Sequence, residues 1–145
     1  MKLRFFTATI LFLASALYSQ QPLSYGTCAA CHGPDGKGFS PPGLPSPMAP
    51  ALAASKLANA GDGEIITAIV LNGIVKEDAK YMGMMSPLGP MLTDEQLAEV
   101  ITYVRSNFGN KASAVTVDQV KQWRAKYNGK PMWKRADLEK MLPAE

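Results

Sequence analysis

Histidine is nearly absent from this chain: there is one, His32, in 145 residues. Cysteine is almost as scarce, represented by Cys28 and Cys31 alone. A structural zinc site takes four ligands, usually Cys or His, so three such residues fall short of one. Charge of one sign is not concentrated either. The formal net charge is +3 with no basic block, which points away from nucleic acid. The N-terminal apolar stretch from Phe5 to Leu17 has thirteen residues, short of the roughly twenty that cross a bilayer as a helix. Preceded by Lys2 and Arg4 and carrying Ala14-Ser15-Ala16, it reads instead as a secretory signal over 1–19, cleaved at Ala16 or near Ser19. An uncleaved anchor is the alternative. No cysteine follows the apolar stretch, so no lipid anchor is indicated. Without Lys2 and Arg4 the formal charge falls to near neutral.

What is present is concentrated. The only histidine and both cysteines lie within Cys28-Ala29-Ala30-Cys31-His32. Cys-x-x-Cys-His is the attachment signature of a c-type haem. Two intervening residues on a helical turn bring both thiols to one edge of a macrocycle, where each forms a thioether with a vinyl group. The next side chain then offers its imidazole to the iron. A thioredoxin-like redox pair would follow a strand in a βαβ pattern, and none surrounds this motif. A plain disulfide would leave the adjacent sole histidine without a role.

The rest of the chain reads as helices separated by proline- and glycine-rich loops. Pro22 to His32 is expected to be a short helix with Leu23 and Tyr25 as its apolar members, ended by the glycine-rich turn 33–38. That turn lacks the preceding strand and the Gly-Lys-Ser/Thr ending of a phosphate loop. Prolines 41, 42, 45, 47 and 50 make the next stretch a loop wrapped on one side of the haem. A weak helical turn is expected within 51–60. Ile65, Ile66, Ile69 and Val70 predict a helix from about Glu64 to Asn72, stopped by Gly73. Thr93 with Gln96 forms a capping box for a helix to Phe108, on which Leu97, Ile101, Val104 and Phe108 share a face and Arg105 complements the dipole. Thr116 with Gln119 repeats the box before a helix from about Val117 to Tyr127, and a short stretch from Arg135 to Leu142 follows. Domain bounds of 1–19 for the signal, 20–110 for the haem domain and 111–145 for a helical extension follow. Trp123, Tyr127 and Trp133 pack the extension back onto the domain or, alternatively, form a docking patch.

Between the two central helices lies a loop carrying Met82, Met84, Met85 and Met91. Ordinary loops are polar, so these methionines either fill a gap in the core or supply a thioether to the iron. A second imidazole is excluded, and the pattern alone leaves the choice among the four open.

Several of these stretches together resemble class I cytochromes c, in particular the small bacterial mono-haem carriers. Tyr-Gly-Thr-Cys-Ala-Ala-Cys-His-Gly-Pro-Asp-Gly-Lys-Gly (25–38) is similar to the family's attachment helix and following loop. Met-Ala-Pro-Ala-Leu (48–52) resembles its Gly-Pro-x-Leu segment, with Ala49 for the usual glycine. Ile-Val-Leu-Asn-Gly-Ile (69–74) resembles its central helix and stop, Met85-Ser86-Pro87-Leu88-Gly89 its methionine loop, and Leu92 to Asn110 its last helix. The resemblance spans about Tyr25 to Asn110 and leaves the tail unexplained. It implies an all-α cytochrome c fold around one covalently attached haem c. It also implies that Cys28 and Cys31 form the thioethers, and that His32 and Met85 are the axial iron ligands, with Met84 as the next candidate and then Met82 and Met91, whose alternative role is packing. Pro50 would accept a hydrogen bond from His32, Leu52 would face the core, and Tyr103 would meet the first helix near Gly26.

The activity implied is one-electron Fe(II)/Fe(III) transfer without a substrate of the protein's own. The expected partners are redox proteins (a dehydrogenase, an oxidase or another cytochrome) met at an exposed haem edge flanked by Lys37, Lys76 and Lys80. The expected setting is the periplasm, as a monomer without stable membrane insertion. The alternative is a haem subunit bound permanently to a dehydrogenase or oxidase. A peroxidase or gas sensor needs an open iron position, against which the methionine loop argues.

Overall fold

The computed structural model describes residues 21–76 and 80–143, so the expected signal lies outside the described residues. Six helices follow in order: α1 (Tyr25–His32), α2 (Lys56–Asn59), α3 (Glu64–Asn72), α4 (Asp94–Ser106), α5 (Val117–Tyr127) and α6 (Arg135–Glu139). No strand occurs among the described residues, only isolated bridges of Ile74 with Met85 and with Trp133. The architecture of the described residues is all-α, as the resemblance to class I cytochromes c implied.

Both capping boxes form: Thr93 and Thr116 each accept from the backbone N–H three residues on, while Gln96 and Gln119 accept in return. These bonds satisfy donors that an α-helix leaves free at its start. α3 runs between Gly63 and Gly73, both at positive φ, and is buried along nearly its whole length. It is the central helix, packed by α2, α4 and α5.

Some expectations shift. The first helix starts at Tyr25, because Tyr25 and Gly26 N–H groups close a turn onto Pro22 and Leu23 carbonyls. Leu23, expected to be an apolar contact, is fully exposed on that turn. α4 ends at Ser106, and Phe108 takes φ +57° just beyond it. That left-handed backbone, uncommon for a bulky residue, lets its ring reach α1. Tyr25, Tyr103 and Phe108 form a triad with centroids 5.1–5.5 Å apart. Tyr103 meets the first helix at Tyr25, next to Gly26, where the resemblance put the contact.

Arg105 does more than complement a dipole. It is fully buried and donates to the carbonyls of Ala58, Ala60, Gly61 and Ser113 and to Ser113 Oγ. Burial pulls its pKa down from the ordinary arginine value. The residues after 110 pack back: Val120, Trp123 and Tyr127 are buried, and α5 lies against α3 and α4. The three aromatics of the tail are thus occupied inside the molecule, not displayed as a patch.

Candidate functional site

α1 is short because Gly33, at φ +77°, ends it directly after the motif. The Tyr25 hydroxyl donates to the Gly33 carbonyl at 2.8 Å, and Gly36 lies so close under the Phe108 ring that an added Cβ would fall 2.6 Å from it. The aromatic triad thereby fixes both ends of the segment that carries Cys28, Cys31 and His32. Aromatic pairs of this geometry contribute about 0.5–1.5 kcal/mol each beyond burial.

These three residues line one side of an apolar cavity of about 360 Å³, within the range of roughly 300–1,000 Å³ typical of cofactor sites. The loop after α1 supplies Pro50 and Leu52, α3 supplies Ile66, Ile69 and Val70, and α4 supplies Val100, Ile101 and Val104. The methionine loop closes another part of the lining with Met84 and Met85. Arg135, from α6, is its one arginine or lysine among the described residues.

His32 is buried, and its Nδ1 lies 2.9 Å from the Pro50 carbonyl. With Nδ1–H donating there, Nε2 is the nitrogen left for a metal, and the ring cannot rotate away. Burial lowers the His32 pKa, against the opposing effect of the Pro50 bond, so the imidazole is held neutral and able to ligate. Cys28 and Cys31 are not joined in a disulfide. Burial, reinforced by Cys31, pushes the Cys28 thiol up to about 11. No cluster of three or more His, Cys, Asp or Glu side chains able to hold a metal ion occurs among the described residues. An apolar cavity lined by two cysteines, one oriented imidazole and the thioethers of Met48, Met84 and Met85 fits a haem.

The four methionines separate. Met85 is half-buried and packs against both apolar clusters of the core. Its backbone exchanges two hydrogen bonds with Ile74, at 2.9 and 3.0 Å. Met84 also reaches the lining but is 59% exposed, and Met91 is 70% exposed and outside the lining. Met91, a later ligand candidate with packing as its alternative, does neither here: it sits on the surface turn before the α4 cap. Met82 is half-buried, and its carbonyl accepts from Lys76. The lysines expected to flank an edge are engaged locally: Lys37 with Asp35 at 3.6 Å, Lys76 with Met82, and Lys80 over the Tyr81 ring. Leu52 packs against the core, as expected.

Two contributors had no local signal in the sequence. Arg135 belongs to the tail, and only the folding back of α5 and α6 brings it to the cavity. Arg124 donates to Asp94, to the Gly89 carbonyl and to the Leu92 carbonyl at 2.6–2.8 Å, behind the methionine loop.

A small all-α protein, built round one apolar cavity with a c-type attachment motif in its wall, is the class that these features define. The family model for cytochrome c matches residues 14–108, and the chain belongs to that family. The family carries covalently bound haem c and serves in electron transfer. The chain is also similar to the fructose dehydrogenase cytochrome subunit of Gluconobacter japonicus, with 35% identity over 120 residues. That match takes in 79% of this chain and 24% of the relative, so the chain spans about a quarter of the relative's length.

Proposed function

We propose that this protein is a periplasmic one-electron carrier whose haem is held by Cys28 and Cys31 as thioethers and by His32 and Met85 as axial ligands. The observation that carries this reading is the shared cavity. Residues 28–32 and Met85 are more than fifty positions apart in sequence, yet they line one apolar space. When bound, the haem supplies Fe(II)/Fe(III) cycling at a potential that a methionine ligand raises relative to two imidazoles.

The chain's residues set the conditions. The Pro50 carbonyl orients His32 and increases its basicity through the bond to Nδ1. The aliphatic side chains of α3 and α4 exclude water from the cavity and so disfavour the more highly charged ferric centre. With His32 and Met85 both holding the iron, no position on it would be left for a substrate, and the role would be transfer rather than turnover. The test is a redox titration of the haem-loaded protein, followed at its visible bands. A one-electron, reversible transition without consumption of oxygen or peroxide is expected. Peroxide turnover by the wild-type protein would contradict the reading.

A second reading is favoured by the similarity to a dehydrogenase's cytochrome subunit: the protein acts as the haem subunit bound permanently to a dehydrogenase. Size-exclusion chromatography of a gentle extract from the native cell separates the two. A carrier elutes near its 15.6 kDa mass or slightly below, and a subunit elutes with a much larger flavin- or quinone-dependent activity.

A further inference from the structure

The residues after 110 fall outside the family match, yet they grip the methionine loop at both of its ends. At the start of the loop, Ile74 lies between two partners. On one side Ile74 N–H donates to Met85 and Met85 N–H donates to Ile74. On the other side Trp133 N–H donates to the Gly73 carbonyl and Val75 N–H donates to the Trp133 carbonyl, both at 3.0 Å. The Trp133 indole N–H adds a bond to the Ala68 carbonyl at 2.9 Å, and its ring packs edge-on against Tyr127 at 5.5 Å. At the end of the loop, Arg124 donates to the carbonyls of Gly89 and Leu92 and to Asp94, the first residue of α4.

We infer that the C-terminal extension is a brace for the axial-ligand loop, with Trp133 and Arg124 as positioning residues that set how firmly Met85 holds the iron. The inference rests on Met85 being the ligand. Its physical basis is the closure entropy of a loop. A thioether is a neutral, weak donor, and its grip depends on how little conformational freedom the loop regains when it lets go. Residues 80–92 carry no helix and hold Gly83, Pro87, Gly89 and Pro90. The loop's own bonds back to α3, from Leu88 and Gly89 N–H to the Val70 and Leu71 carbonyls, restrain its second half. Trp133 acts from the start of the loop and bears on Met85 itself through the Ile74 pairing.

The test uses the full haem-loaded chain. Exogenous imidazole competes with methionine for the ferric iron, so its apparent affinity measures the strength of the Met85 bond without any partner or turnover. Titrations are run on the wild type, Trp133→Ala, Trp133→Phe and Arg124→Met, with Val120→Ala as the control. Val120 is a fully buried residue of α5 that bonds no part of the loop. Its truncation is expected to lower stability while leaving every hydrogen bond to the loop in place. Trp133→Ala and Arg124→Met are expected to bind imidazole on the order of tenfold more tightly than the wild type, the scale of one lost net hydrogen bond and its packing. Trp133→Phe, which keeps the ring and loses the Ala68 bond, is expected to fall between, and Val120→Ala to match the wild type. Where Trp133→Ala does not fold, Trp133→Phe and Arg124→Met carry the comparison. Equal affinities in wild type and brace variants, or an equal rise in Val120→Ala, would overturn the brace. A wild-type protein without the far-red ferric absorption of sulfur ligation would overturn the ligand assignment itself.

Discussion

The Arg105 guanidinium reaches from α4 to the Ala58 carbonyl at 2.8 Å, and from there it ties α2, the turn before α3 and the Ser113 segment together. One buried cation satisfies four backbone carbonyls that no helix bond uses. Replacing it with methionine keeps most of the volume and strands those acceptors, each at a cost of about 1–3 kcal/mol when buried. Arg105→Met is therefore expected to lose at least about 3 kcal/mol, lowering the melting temperature by more than about 10 °C for a domain of this size. The visible spectrum of the folded fraction should stay unchanged, because Arg105 is not in the cavity wall. Thermal melts followed by circular dichroism check both parts.

Gly73 is the hinge between α3 and the methionine loop. Its φ is +74°, and a Cβ there would collide with the Met85 carbonyl. Gly73→Ala combines a left-handed backbone on a residue with a side chain, about 1–3 kcal/mol, with a displacement of the Ile74–Met85 pairing. The expected result is a loss of stability together with a weakened far-red band. A variant that melts earlier but keeps the band intact would show that this pairing does not hold the ligand.

Acid should weaken the junction between α3 and α5. Glu64 accepts from Lys126 Nζ at 2.6 Å and from the Tyr127 hydroxyl at 2.8 Å. Burial by itself would raise the Glu64 pKa, but the bonds from Lys126 and Tyr127 outweigh it and hold the carboxyl below its usual value. A carboxyl depressed in the folded state adds stability that is present above its unfolded pKa and is lost as pH falls through the folded one. Wild type should therefore exceed Glu64→Gln in urea midpoint at pH 7, and the gap should close on acidification through and below the ordinary carboxylate range. A gap independent of pH would show that the contribution is not ionic.

Local signals made much of this fold legible. The two Thr–Gln capping boxes and the glycines flanking 64–72 act within a few residues, so α3, α4 and α5 stand close to where the pattern puts them. The motif at 28–32 was legible for a different reason: the chemistry needs those residue types together, whereas its Pro50 partner was expected only through the resemblance to class I cytochromes c. Long-range pairings left no such trace. Nothing in the neighbourhood of Trp133 announces that it bonds beside Ile74, nor does anything around Arg105 distinguish a buried hub from a cation near a helix end. The positive φ of Phe108 was equally hidden, because it is imposed by the ring's place against Tyr25 and Tyr103 rather than by its neighbours in sequence.

The choice between Met85 and Met84 decides the account. The most direct measurement is the optical spectrum of the haem-loaded protein in both oxidation states, for the wild type, Met85→Ala and Met84→Ala. The weak far-red ferric band of sulfur–iron bonding is expected in the wild type and in Met84→Ala, whose parent side chain is largely exposed. It should vanish in Met85→Ala, whose ferrous form should then bind carbon monoxide readily. Loss of the band in Met84→Ala with retention in Met85→Ala would move the ligand by one residue. Absence of the band in the wild type, with ready carbon monoxide binding, would contradict the six-coordinate carrier altogether.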